Sequence, residues 1–291
     1  MHVVWNLLLY NRPEHSRRVL QSIGEAGVKH IVAYIDAPAN KKIASKQNKI
    51  RDILGEAWPF TIDIRNRIQR HGLALSIRKA LEESFAEGAG GAVVLEDDCV
   101  LLPGARTFFE EGLQNLKDDK RVRSLCGYNF PSCRFVHDHD SELLLLHRFS
   151  TWGWATWSDR WKDYEEVGGL SSLLDTYGVN ADAIESFAPD QAQLCRKADY
   201  LDGTVDIWSV PWILLHFLTS TFAVYPRETV VQNIGMDGSG LNCDTTSAFD
   251  LTDEVLTRQN FNWKRYFYFS ENEELIRKFM AEHGLKTYPS A

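Results

Sequence analysis

Three consecutive carboxylates, Glu96, Asp97 and Asp98, stand in the segment AVVLEDDCVLLPG with apolar residues on both sides. Adjacent carboxylates repel one another unless water or a cation screens them, and oxygen donors of this kind suit hard divalent ions such as Mg2+ and Mn2+. A solvated acidic turn would use the same residues. The preceding segment favours an ion cradle. Ala92-Val93-Val94-Leu95 is a short continuous apolar run after the breaker Gly88-Ala89-Gly90-Gly91, the pattern of a strand covered on both faces in a parallel sheet. The acids therefore begin where that strand ends, and open α/β sheets hold ligands at the carboxyl ends of their strands.

The elements that must position the triplet alternate along the first half of the chain. Val3 to Leu9 is apolar and β-prone, Glu14 to Gly24 puts Val19, Leu20 and Ile23 on one helical face, and His30 to Asp36 is strand-like again, ending in Asp36-Ala37-Pro38. Residues 40–55 form a polar helix and 60–65 a short strand, and 73–85 is a helix with Leu73, Ile77, Ala80, Leu81 and Phe85 along one stripe. A helix over 105–117 and a strand from Arg121 to Gly127 follow the carboxylates. Successive units of this kind predict an α/β fold with a mainly parallel sheet, right-handed crossovers and flanking helices.

Beyond residue 127 the composition changes. Residues 150–226 contain six of the nine tryptophans, in FSTWGWATWSDRW and DIWSVPW, and 235–247 is the polar loop GMDGSGLNCDTTS. Trp154, Trp157 and Trp161 recur at i, i+3 and i+7, which reads as a core-facing helical stripe, and Gly153 between two indoles marks a tight turn. Residues 271–283 close the chain as a helical tail. No repeat or low-complexity linker separates the halves, so 1–291 is one continuous domain.

At 291 residues, 44% hydrophobic and 25% charged, the chain is long enough for a sizeable core. A formal charge of −8 excludes the basic face that nucleic-acid binding needs, though not a nucleotide ligand. The five cysteines (Cys99, Cys126, Cys133, Cys195, Cys243) are odd in number and widely spaced, which indicates neither a disulfide framework nor a zinc site and fits a reducing, cytoplasmic setting. The first apolar run is too short, and its charges too late, for a signal peptide. The most apolar window, 210–224, is interrupted by His216 and hydroxyls, so any membrane association is expected to be peripheral, at the inner face.

Four landmarks in order, YNRPEHSRRVLQSI, the Asp ending the second strand, RHGLALSIRKALEESF leading to VVLEDD, and GWATWSDRW followed by DIWSVPW, resemble the nucleotide-sugar glycosyltransferases of the A-type fold. The likeness is to N-acetylglucosaminyltransferase I and related bacterial sugar transferases, and covers roughly residues 3–243. It implies a GT-A, Rossmann-like fold with a nucleotide-sugar-binding half (1–127), an elaborated acceptor-side half (128–250) and a tail (251–291). By the same resemblance, Asn11, Arg12 and Asp36 contact the nucleotide, Asp36 accepting from a uracil-like imide, and His71 faces it. EDD corresponds to the family's DxD-type motif, with Asp98 ligating Mn2+ or Mg2+ and Glu96 and Asp97 addressing sugar and ribose. Asp206 matches the general base.

The implied reaction is metal-dependent, inverting transfer from a UDP-sugar, UDP-GlcNAc or similar, to a hydroxyl of a glycan, glycolipid or other acceptor. Physically, an acidic protein holds a diphosphate through a bridging cation, and an incoming hydroxyl needs a base to take its proton. Asp202, four residues before Asp206, competes for that second role. Plainer structural readings stand beside each assignment. Arg12-Pro13 could be a turn into a helix, Asp36 could satisfy turn amides, His71 could cushion a loop, and Asp206 could cap the helix after it. His137-Asp138-His139-Asp140 sits in a polar loop with no visible supporting shell for a metal. Where related transferases place a histidine after GSG, this chain has Leu241-Asn242-Cys243, and no second protein ligand is expected. The same loop has the composition of a lid that orders when donor binds. The rival functions are a nucleotidyltransferase making activated sugars, which normally needs a Gly-rich loop that YNRPEHS lacks, and a non-catalytic carbohydrate-binding module with structural calcium.

Overall fold

The computed structural model describes residues 1–129, 142–197, 208–239, 245, 260–264 and 266–268. The first half follows the expected alternation: β1 (Val3–Leu9), α1 (Pro13–Glu25), β2 (His30–Ile35), α2 (Lys41–Leu54), β3 (Thr61–Asn66), α3 (Gly72–Ala86) and β4 (Gly91–Glu96). After β4 the chain bends through Asp97-Asp98 into β5 (Cys99–Leu101), α4 (Ala105–Asn115) and β6 (Val122–Cys126). The second half adds β7 (Leu143–Leu146), β8 (Trp154–Trp157), α5 (Ser158–Val167), α6 (Leu170–Tyr177), α7 (Ala181–Glu185), α8 (Pro189–Cys195), α9 (Ser209–Leu218), β9 (Phe222–Pro226), β10 (Val231–Asn233) and β11 (Tyr266–Tyr268).

The strands form a sheet in the order β11-β7-β9-β6-β8-β4-β1-β2-β3, and β5 pairs with β10 in a separate two-stranded ribbon. Pairs β1–β2, β1–β4, β2–β3, β6–β9 and β7–β11 are parallel, whereas β8 runs antiparallel to both β4 and β6, as β7 does to β9. The sheet is thus mostly parallel, with its antiparallel pairs gathered where the chain departs from simple β-α alternation. Helices cover both faces, and β1, β4 and β6 are buried along nearly their whole length. That is why Ala92–Leu95 of β4 reads as an unbroken apolar run, while β1 carries buried Asn6 and β6 buried Arg123 and Ser124.

The tryptophan stripe is corrected. Trp154 and Trp157 belong to strand β8 and Trp161 to helix α5, although all three are fully buried as a core stripe requires. Trp154 and Trp157 have opposite parity along β8, so each lies on a different face of a sheet that is covered on both sides. Trp154 stacks on Trp208 at 5.1 Å and 16° between planes, and Trp161 packs on Tyr164 and Trp212. Nearby, His216 is fully buried, donating from Nδ1 to the Trp212 carbonyl at 2.8 Å and accepting at Nε2 from Ser124 Oγ at 3.0 Å. Burial, then the Arg123 charge, pushes its pKa well down, so it is a neutral core residue.

Gly153 has φ +64° and donates no room: a Cβ there would lie 2.8 Å from Val231 Cγ2. The predicted turn is confirmed, and close packing against β10 is its cause. The apolar window at 210–224 is α9 followed by β9, inside the core, and among the described residues no helix is long and apolar enough to cross a membrane. Cys99 and Cys126 are free thiols and, like Cys195, buried. The 271–283 tail, Cys133, Cys243 and the His137–Asp140 segment lie outside the described residues.

Candidate functional site

Strand register brings the sequence-predicted residues to one edge. Leu9 pairs with Ile35, and Leu8 with Glu96, so the chain just past β1 (Tyr10, Asn11, Arg12) lies between Asp36 on one side and Asp97-Asp98 on the other. With adjacent strands about 4.8 Å apart, Asp36 and Asp97 belong to columns on the order of 10 Å apart. From β1 the chain proceeds to β2 and β3 on one side, while β4 lies on the other, so this edge is a topological switch point, where doubly wound sheets open a crevice.

Asp97 and Asp98 are buried, with 5% and 8% of their surface exposed. Arg12 holds them together. Its Nε donates to Asp97 Oδ1 at 2.9 Å, and its Nη2 donates both to Asp97 Oδ1 and, at 2.8 Å, to Asp98 Oδ2. The Cys99 thiol lies 3.6 Å from the other Asp98 oxygen. Burial weakens the Arg12 charge, but Asp97 and Asp98 more than offset it and raise its pKa above the usual range. Among the described residues Glu96 has no such ion-pair partner. Burial, with Asp98 and Asp97 alongside, pushes its carboxyl up to about 8. Asp97 is also raised, because burial outweighs the attraction of Arg12.

Three acids against one guanidinium leave this corner short of positive charge. Among the described residues no group of three or more His, Cys, Asp and Glu side chains forms a protein-only metal site. The donor chemistry fits the other arrangement, in which carboxylate oxygens supply part of a hard cation's shell and a substrate supplies the rest.

Asp36 is 8% exposed and accepts three backbone N–H bonds: from Ala37 (2.9 Å) and His71 (2.8 Å) at Oδ1, and from Gly72 (2.9 Å) at Oδ2. The turn amides of the plainer reading are therefore present, and the carboxylate also ties the start of α3 to the end of β2. Gly72 has φ +76°, a conformation that suits glycine at this junction. His71 meets Asp36 through its backbone alone; its ring Nδ1 is buried and lacks a hydrogen-bond partner among the described residues.

Asn11, Arg12, Asp36, Glu96, Asp97 and Asp98 all line one open cavity of ≈ 350 Å³. His71 is the described candidate that does not. Sequence reading missed Tyr34, Arg70 and Ser76, which are also among the lining residues. Arg70 was legible as a cation next to a singled-out histidine, but Tyr34 and Ser76 carried no signal within a strand and a helix. Asp206 and its competitor Asp202 lie outside the described residues, which resume at Trp208.

The Gly-rich loop begins at the site. Ile234 N donates to the Asp98 carbonyl at 2.9 Å, and His15 Nε2 approaches both the Ile234 carbonyl and Asp237 Oδ2 at 3.2 Å. Gly235 is buried beside the Asp98 carboxylate and Arg12, where an added side chain would have no space. Of the expected lid, Gly235 thus lies at the carboxylates, while residues 237–239 are exposed. The rest of that loop, Thr245 apart, lies outside the described residues.

No protein-family profile matches the chain, and no curated protein matches it. Solved structures do. They include a mannosyltransferase of Pyrobaculum calidifontis in complex with GDP-Man and Mn2+, at 12% identity over 75% of this chain and 69% of that one, TM-score 0.38. A UDP-glucose pyrophosphorylase shares 8% identity over 77% of this chain and 90% of that one, TM-score 0.41. A cytidylyltransferase of Leptospira borgpetersenii shares 12% over 58% and 66%, TM-score 0.35. Likenesses of that size assign no residue a role, and the case for the site rests on its own geometry.

Proposed function

We propose that the chain is a metal-dependent transferase acting on a nucleotide diphosphate sugar, and specifically an inverting glycosyltransferase that uses a UDP-sugar. One observation carries this reading: an Arg12-bridged carboxylate cluster shares a switch-point cavity with Asn11, Asp36 and Arg70. Such a cavity has acids at one end, backbone-bonded Asp36 at the other, and a span that suits a nucleoside diphosphate.

In this reading Asp98 would hold Mn2+ or Mg2+, and Asp97, expected from the sequence to address sugar or ribose, would share that ion because Arg12 bonds both carboxylates; the ion would supply stabilisation of the charge on a departing diphosphate. Arg12 and Arg70 bind diphosphate oxygens, and Glu96 accepts from sugar or ribose hydroxyls once ionised. Asp36 uses Oδ1 for two backbone amides and Oδ2 for one, which leaves a lone pair on Oδ2 to accept an imide N–H. Asp206 takes the acceptor proton. With a base opposite the leaving group, displacement inverts the anomeric centre.

The tryptophans do not favour the carbohydrate-binding module. Trp154, Trp157, Trp161, Trp208 and Trp212 are at most 4% exposed; four of them pack on one another and Trp157 is covered by the Arg160 guanidinium, so none of these five is a platform for sugar. Between glycosyl and nucleotidyl transfer the deciding test is product analysis with purified protein. UDP released from a UDP-sugar with Mn2+, stopped by chelator and by Asp98→Ala, supports the proposal. Pyrophosphate released from UTP and a sugar 1-phosphate assigns nucleotidyl transfer instead. A thermal-shift screen of nucleotide diphosphates with and without Mn2+ tests the base, and a response confined to guanosine or cytidine compounds would overturn the uridine assignment.

A further inference from the structure

We propose that Arg12 is a built-in counter-ion that keeps free divalent cations out of the Asp97–Asp98 pair until a diphosphate draws the guanidinium away. The inference rests on the cation-and-diphosphate reading above and adds a gate to it. Arg12 Nη2 bonds both carboxylates and Nε bonds Asp97 again, so the guanidinium already fills the position between the two acids. The other sides of Asp98 are crowded as well: Cys99 Sγ lies 3.6 Å from Oδ1, and the backbone at Gly235 runs so near Oδ2 that a Cβ there would clash with it.

A guanidinium cannot vacate this place by losing its proton. It leaves only if a better partner appears. A diphosphate is that partner, because it offers paired oxygens that match the guanidinium fork. The same group supplies the oxygen ligands that two carboxylates alone cannot provide for a hard cation. Cation and nucleotide therefore enter together, and each raises the affinity for the other by the same factor. Without the nucleotide, a lone cation must displace a fixed positive charge from buried acids and gains little.

The test is Mn2+ binding by the full-length protein without nucleotide, followed by the electron paramagnetic resonance of free Mn2+. Arg12→Gln is expected to bind Mn2+ alone about tenfold or more tightly than the unaltered chain, while UDP strengthens Mn2+ binding much less than before. Arg12→Lys, which keeps the charge and loses the fork, should fall between them, and thermal melting establishes that both variants are folded. Equal or weaker Mn2+ binding by both variants would overturn the gate. The donor reading has a separate readout. If the variants gain Mn2+ but the unaltered protein binds no nucleotide diphosphate, the gate stands and the proposed donor falls; if Mn2+ and UDP bind together in the unaltered protein but Arg12→Gln gains nothing, the reverse holds.

Discussion

Replacing Asp36 by asparagine separates an anchoring role from a nucleotide-contacting one. The carboxylate takes N–H bonds from Ala37, His71 and Gly72 at 2.8 to 2.9 Å, and through the last two it fixes the start of α3. Hydrogen bonds to a charged acceptor contribute about 1.5–3 kcal/mol each and neutral ones about 0.5–1.5, so loss of charge weakens the two that the amide oxygen could keep. The amide nitrogen would face the third N–H, donor against donor, and leave it unsatisfied at a cost of about 1–3 kcal/mol. Allowing for relaxation, Asp36→Asn should cost about 2–4 kcal/mol in total. At roughly 2 °C per kcal/mol for a chain of this size, the melting point should drop about 4–8 °C. Gly72 and Ser76 line the cavity, so movement of α3 should weaken UDP binding as well. Thermal unfolding and a UDP titration with Mn2+, on the same samples, read both effects. An unchanged melting point with lost UDP binding would refute the anchor and leave a purely ligand-facing carboxylate.

Three further outcomes follow from particular contacts. Gly235→Ala sets a methyl group against Asp98 and within 2.9 Å of Arg12 Nη1, so Mn2+-dependent nucleotide affinity should fall about tenfold or more with little change in melting point, because the strap can lift without unpacking the core. Burial and the neighbouring acids raise Glu96 from an ordinary value of 4.5 to about 8, so the stability it contributes is fully present below the lower value and is lost as pH rises to the upper one. Glu96→Gln should therefore match the unaltered protein below about pH 4.5, melt increasingly higher than it from about pH 5 to 8 and hold that difference above, and parallel melting curves at every pH would count against the shift. Gly153→Ala combines φ +64° with crowding by Val231 Cγ1 and Cγ2 at 2.9 and 2.8 Å, and should cost about 2–4 kcal/mol in chemical denaturation.

The sequence disclosed the elements of the first half and the end of β4 because both arise from local pattern. Ala92-Val93-Val94-Leu95 is apolar throughout since helices cover both faces of the sheet there, and the acids interrupt that run at the edge where water and ligand begin. The tryptophans were misread for an equally physical reason. Positions i, i+3 and i+7 are all buried in a helical stripe, but a strand covered on both faces followed directly by a helix produces the same spacing. Arg12 was visible as a residue of interest, whereas its bonds to Asp97 and Asp98 cross 85 and 86 positions and depend on strand order. Asp36 showed its turn partner Ala37 next to it, but His71 and Gly72 are 35 and 36 residues further on. Gly235 belonged to a loop whose composition indicated motion; only the β5–β10 pairing explains why its first residues rest against Asp98.

The same pairing logic joins the two halves of the molecule. Val94 lies opposite Trp154 in the antiparallel β4–β8 pair, two positions before Glu96, and Trp154 stacks on Trp208 at the start of α9. Carboxylate strand, indole stack and the helix that begins within DIWSVPW are therefore one packed path. Buried aromatic stacks of this size tolerate little displacement, since each ring fills space that no smaller side chain would fill. Such a wall fixes Trp208, where the described chain resumes before α9, against the strand that runs on to Glu96. The concentration of tryptophan in this part of the chain thus has a mechanical reason that is independent of sugar stacking.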